Sequence, residues 1–460
     1  MIETLNVGYN WRDTGTTPNT GNFTLGAGSL DANTVYVGRD VPGSGPAVKV
    51  RGNFTATNSQ LKIGSLILGT NYFNTLTATV NLNGDCTLRA QAIQVGNGSA
   101  TRTFNWNQGT IQNYSPTQNL TISGGVSQFV LLGTGLHAFD IDTGRQATVA
   151  QVISGTGALT KLGAGTLALN ADQTYTGTTT VSAGTLTLSG SFASAVTNAG
   201  PFAPQGLAAT SKAFTQTATG TLQFCISGTT VGSGYDQLKT PGPVTLAGAL
   251  DLIAAPTLAE VSRFTLIDNT GATAVSGTFA GLTEGAAFFA EDQWWRISYT
   301  GGTGNDVVVI RIAASAWQTW QAQNFGSAWA DPLIAGDAVD FDHDGQINLL
   351  EYAIGTDPAA TTAPTARPVA SVESGRLTLT HNRNTAAIDV TLIVQGSDNL
   401  TGTWTDLASS VAGAPMAGLI GGVTVSETGT GVSRTVKVSD LYLASDAGHP
   451  KRFLRLKVVR

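Results

Sequence analysis

Gly165-Thr-Leu-Ala-Leu returns as Gly184-Thr-Leu-Thr-Leu, and the shorter form Gly-[Thr/Ala]-Leu also stands at Gly157, Gly220 and Gly248. Leu186 and Leu188 fall on one side of an extended chain, and Thr185 and Thr187 on the other. A leucine-in, threonine-out strand that recurs along a chain is the mark of stacked coils. Other phrases recur upstream. "GNFTLGAGSL" (21–30), "ATVNLNGDCTL" (78–88) and "TFNWNQGTI" (103–111) form one set, and "VYVGR" (35–39), "LILGT" (66–70) and "IQVGN" (93–97) the other. The rival architecture is a sandwich of antiparallel hairpins with Asn-Gly turns, as in "LNGD" (82–85) and "VGNGS" (95–99), but it leaves the returning phrase without a cause. The fold class expected is therefore all-β: a right-handed parallel β-helix (solenoid) over 1–311, then a short helical junction over 312–362, then a small β-sandwich over 363–460. At roughly 20–25 residues per coil the solenoid would have about 12–15 coils and a length near 60–70 Å.

Composition agrees with this. Only 12% of the 460 residues are charged and 56 are Gly, a mixture that favours short strands and tight turns. The apolar fraction of 41% is ample for a core. The net charge of −6 is spread thinly, with no basic stripe for nucleic acid. The one dense basic stretch, "HPKRFLRLKVVR" at 449–460, alternates with apolar residues and reads as a final strand, not as an anchor to an anionic surface. Cys86 and Cys225 each sit in an apolar strand pattern and are expected as free, buried residues, although a disulfide remains open from sequence. No apolar run is long enough for a transmembrane helix. "MIETLNVGYNW" lacks the basic start and apolar core of a signal peptide, so a removed leader or a longer parent chain is expected.

Residues 153–190, "ISGTGALTKLGAGTLALNADQTYTGTTTVSAGTLTLSG", resemble the autotransporter-associated β-strand repeat, also called the passenger-associated transport repeat. The likeness extends loosely over 1–311. It implies a right-handed β-helix exported to the cell surface or beyond. No run of alternating membrane strands long enough for a translocating barrel follows, so another secretion route is expected. In the last hundred residues, "QGSDNL…W" and "RFLRL" are similar to the terminal module of large secreted repeat proteins of environmental bacteria.

The strongest chemical motif is "DFDHDGQINLLE" (340–351), which fits a calcium loop, D-x-[DN]-x-[DN]-G with a terminal Glu. Asp340, Asp342 and Asp344 supply hard oxygens at positions 1, 3 and 5. Gly345 permits the turn, Gln346 offers its backbone carbonyl, Asn348 stands at position 9, and Glu351 binds with both oxygens. Ile347 is expected to anchor the loop to the core, and His343 to face solvent. "NLLEYAIG" reads as the helix after the loop, whereas "PLIAGDAV" before it is a poor helix. The expected cofactor is thus calcium (Ca2+), held in what looks like a half EF-hand of the dockerin or thrombospondin type that clips the junction. The dockerin function itself would need a second loop, which the sequence lacks.

Other motifs are weaker. "GGTGNDVVV" (301–309) matches one calcium nonapeptide, but such a site needs neighbouring copies, so a turn and a strand are expected. Trp317, Trp320 and Phe325 would line a short helix capping the solenoid. Asp140 with Asp142, and Glu291 with Asp292, are the carboxylate pairs open to glycoside chemistry. His137 beside Asp140 reads as packing. Trp11, Trp106 and Tyr175 are aromatic residues open to sugar contact. No nucleophile elbow, P-loop or dinucleotide fingerprint occurs.

The function these features imply is a non-catalytic extracellular or cell-surface structural or adhesive protein. It would be a β-helical stalk able to self-associate into fibres or to bind surface polysaccharide or glycan. The alternative is a carbohydrate-active β-helix enzyme, a polysaccharide lyase or glycoside hydrolase.

Overall fold

In a computed structural model the chain forms two compact units, 1–312 and 313–460. All residues are described except 11–18, 41–48, 72–75, 211, 256–257 and 330.

The first unit is a parallel β-solenoid. One column stacks eleven parallel strands among the described residues, from Ile2–Asn10 through Thr166–Leu169 and Thr185–Leu188 to Ala249–Ala254. At a spacing of about 4.8 Å that column rises about 48 Å. Coil length is not constant, so a fixed length per coil does not give the coil count. Ala32 lies beside Ile63, a coil of 31 residues, whereas Leu186 lies beside Phe202, a coil of 16.

The returning phrases stack in register. Leu167 and Leu169 lie beside Leu186 and Leu188. These four are buried, while Thr166, Thr185 and Thr187 are half-exposed. Upstream, Val35 and Val37 lie beside Leu66 and Leu68, and Leu66 lies beside Ile93. On the facing sheet Phe23, Phe54, Val80, Phe104, Phe129 and Ile153 form one inward column. Within it the Phe104 and Phe129 rings stack at 4.3 Å. The glycine that opens each phrase marks a corner where coils nearly touch. Gly184 has φ +61°, and a Cβ there would lie 2.3 Å from the carbonyl oxygens of Gly163 and Gly165.

The C-terminal end of the solenoid is closed by antiparallel strands. Arg263–Asn269 pairs with Asp306–Ile312, which pairs with Gln293–Gly301, and that strand pairs with Ala287–Ala290. "GGTGNDVVV" is thus a hairpin turn and its outgoing strand. Asp306 is buried and accepts the Asn269 N–H, and Asn305 donates to Gly271 O.

The second unit holds two four-stranded antiparallel sheets. One contains Val369–Glu373, Arg376–Asn384, Ser433–Leu443 and Thr424–Thr428, and the other Ala417–Gly418, Thr405–Val411, Thr391–Ser397 and Phe453–Val459. Two helices pack with them, α1 (Ala316–Phe325) and α2 (Asn348–Ile354). Ser315 and Gln318 form a reciprocal capping box that starts α1. α1, expected as a cap on the solenoid, packs within the second unit. Trp317 is buried in the core of the second unit with Tyr352, Leu379, Val394 and Val436. Its ring stacks on Trp320 at 5.0 Å and meets Tyr352 edge-on at 5.1 Å. The basic tail holds a strand, as expected; Arg452 pairs with Asp440, and Arg460 with Asp337.

Cys86 is buried, but Cys225 is exposed, and both are free. In Thr221–Ile226 the residues Leu222, Phe224 and Ile226 point inward, which turns Cys225 outward. A maleimide is therefore expected to label one thiol per native chain, at Cys225, and two after denaturation. Mass spectrometry of the labelled peptides checks this, and native labelling of Cys86 would contradict the packing.

Candidate metal centre in the second unit

The loop 340–351 curls around its own aspartates. Asp340 accepts the N–H groups of Asp344 (3.0 Å) and Gly345 (2.9 Å), and Asp342 accepts that of Asp344 (3.1 Å). Gly345 takes φ +92° and the exposed His343 φ +60°, which makes the turn. Asp340, Asp342 and Asp344 each bring one carboxylate oxygen to within 4.8 Å of the others. Glu351, on α2, lies outside that closest trio but is electrostatically joined to it. Burial, and then the charges of Asp342, Asp344 and Asp340, push its carboxyl up to about 8.

Six of the thirteen buried side-chain atoms without a hydrogen-bond partner among the described residues belong to this stretch. Asp342 Oδ2, Asn348 Oδ1, both oxygens of Glu351 and both side-chain amide atoms of Gln346 are buried and accept or donate no hydrogen bond. Glu351 and Asn348 are fully buried. Each such orphan costs about 1–3 kcal/mol, and more when charged. Hard carboxylate and carbonyl oxygens in an irregular, flexible loop fit calcium better than magnesium, which demands a near-ideal octahedron. The donor set present therefore fits the cation that the spacing implies.

Two features of the loop had no signal in the motif. Asp344 accepts the Thr362 N–H at 2.6 Å and pairs with Arg367 at 3.2 Å. Burial works against its charge, but these bonds and that of the Gln346 N–H hold its carboxyl below the usual range. Asn348 Nδ2 donates to Ile334 O (2.9 Å) and Gly336 O (3.1 Å), which ties the chain before the loop to α2. Ile347, expected to anchor the loop, is instead 39% exposed, and Leu349 and Tyr352 fill the core.

The solenoid positions singled out for catalysis or sugar contact are used otherwise. Asp140 accepts from Gln112 Nε2 (2.7 Å) and Asp142 from Asn113 Nδ2 (3.0 Å), each on the preceding coil. His137 is buried between the carbonyls of Ala158 and Leu132, edge-on to Trp106. Glu291 and Asp292 form a hairpin turn with positive φ. Trp106 and Tyr175 are fully buried, so neither reaches a sugar, and Trp11 lies outside the described residues.

Lys161, inside the repeat, is buried. Its ammonium donates to Leu162 O (2.5 Å), Gly163 O (2.8 Å) and Ala183 O (3.2 Å), so it fastens two coils at a corner. Burial lowers it to about 8 against the opposing charge of Asp140, which leaves it mainly charged at neutral pH. Lys161→Met keeps the stem but takes the ammonium away from Gly163 O and Ala183 O, while Leu162 O keeps the Ile141 N–H, and is expected to cost about 1–3 kcal/mol in urea unfolding. An unchanged midpoint would rule out this role.

Residues 159–188 match the family model of the passenger-associated-transport-repeat. No curated protein matches the chain. Among the described residues, no helix is long and apolar enough to cross a membrane.

Proposed function

We propose that this β-solenoid, carrying a passenger-associated transport repeat, serves outside the cell as a non-catalytic structural or adhesive stalk whose second unit is clipped by calcium. The observation that carries this reading is the use made of outward polar side chains. Asn53 donates to Asn22 (2.8 Å), Asn105 to Asn81 (2.8 Å), Asn107 to Asn83 (2.6 Å) and Gln223 to Asp251 (2.7 Å), each across neighbouring coils. Amide and carboxylate groups bonded in this way hold the stack together instead of waiting for substrate. The repeat match supports export, since that family belongs to secreted passengers.

Purified protein incubated with a panel of neutral and acidic polysaccharides is expected to release no reducing ends and no unsaturated products. Turnover on any of them would replace this reading with a carbohydrate-active enzyme. Negative-stain imaging at several calcium concentrations addresses self-association, and strictly monomeric particles throughout would remove the fibre-forming part.

A further inference from the structure

A cleft of about 280 Å³ lies within the second unit, between α1 and the chain that leads into the calcium loop. Trp317, Gln321, Trp329, Asp331, Asp337 and Arg460 line it. It stands just below the roughly 300–1,000 Å³ of drug-sized pockets, which suits one small ring. Trp317 is buried and carries the Arg460 guanidinium 5.4 Å above its ring, so it forms the floor. Trp329 is half-buried and supplies the aromatic wall. Carboxylates, an amide and a guanidinium around an indole are the groups that pair with vicinal hydroxyls while an apolar ring face packs on the aromatic. Two aspartates stand against one arginine, and that arginine is already paired with Asp337 at 3.0 Å. The excess negative charge disfavours an acidic ligand.

The wall of this cleft hangs from the metal loop. Gln321 Nε2 donates to Ala335 O at 2.7 Å, and the Leu349 N–H to Asp337 O at 3.1 Å. Asn348 Nδ2 holds Ile334 O and Gly336 O, while its Oδ1 is one of the buried atoms left without a partner. A cation that engages the Oδ1 end of this amide fixes the other end, and with it residues 334–337. We infer that the cleft binds a neutral sugar residue and that calcium in the 340–351 loop holds it open for binding; the second half rests on the calcium assignment made above.

The test uses the full chain. Saturation-transfer NMR with glucose, galactose, N-acetylglucosamine and galacturonate is recorded in calcium and again in EGTA, with calorimetry of calcium alone alongside. At least one neutral sugar is expected to bind in calcium, to weaken at least about tenfold in EGTA, and to weaken as much in Trp329→Ala and Asp331→Asn. Trp329→Phe is expected to restore binding, and an unchanged melting curve for Asp331→Asn guards against misfolding. Calcium binding with no neutral sugar bound overturns the cleft while leaving the metal site standing. Sugar binding indifferent to EGTA, or to both cleft variants, overturns the coupling or the location respectively. A preference for galacturonate overturns the neutral class. Failure of calcium alone to bind overturns the metal assignment and the dependence built on it.

Discussion

Removing calcium with EGTA is expected to lower the melting midpoint of the second unit by about 10 °C. A ligand present at 100–1,000 times its dissociation constant stabilises the folded state by about 2.7–4.1 kcal/mol. For a unit of this size one kcal/mol corresponds to about 2–4 °C or somewhat more. Glu351→Gln separates this account from a purely structural one. The glutamate is buried among three aspartate charges, so the neutral amide is expected to be no less stable than the parent in EGTA. In calcium the parent gains and the variant does not, because a bidentate anionic ligand has gone. Differential scanning calorimetry in both conditions reads the contrast. A parent melt unmoved by EGTA, with Asp340→Ala equally silent, would dismiss the metal.

Glu427→Gln is expected to cost about 1–3 kcal/mol at pH 7, by loss of the charged partner of the buried Arg383. Arg383 is 2% exposed and faces the Glu427 carboxylate with two nitrogens, the closer at 2.5 Å. Burial opposes the ionised carboxylate, but the bonds from Arg383 and the Met416 N–H, and the charge of Arg434, hold its pKa below the ordinary glutamate value. The sign of the pH dependence follows. A carboxyl that is more acidic when folded contributes stability above its unfolded pKa, near 4.3, and loses it as pH falls through the folded value. Urea midpoints of the parent should therefore drop below about pH 4.5. The variant should start lower and show a shallower acid slope. Equal midpoints at pH 7 would mean that the pair contributes nothing net.

The solenoid was legible because its period is written in residue types. Leucines alternate with threonines in Thr185–Leu188, and the corner glycines admit no Cβ, so both leave a regular trace. The same alternation, followed more strictly, places Trp106 inward with Phe104 and turns Cys225 outward, where composition of the neighbourhood misled. The coil count was not legible, since a coil's length is set by corners and loops that carry no period. The 340–351 loop was legible in its three clustered aspartates, which share one short stretch, and not in its supports. Thr362 and Arg367 reach Asp344 from beyond α2, and no local spacing announces them. The partner of α1 was hidden for a similar reason. Two tryptophans and a phenylalanine say that a helix face is covered, but only the tertiary fold says by what.

The hairpin that ends the solenoid gives the rod a direction. In one of its sheets the last parallel strand, Arg263–Asn269, already spends its outer edge on Asp306–Ile312, running the opposite way. On that sheet a further parallel coil would meet a rung of the wrong polarity. A parallel continuation of that sheet therefore stops at this hairpin.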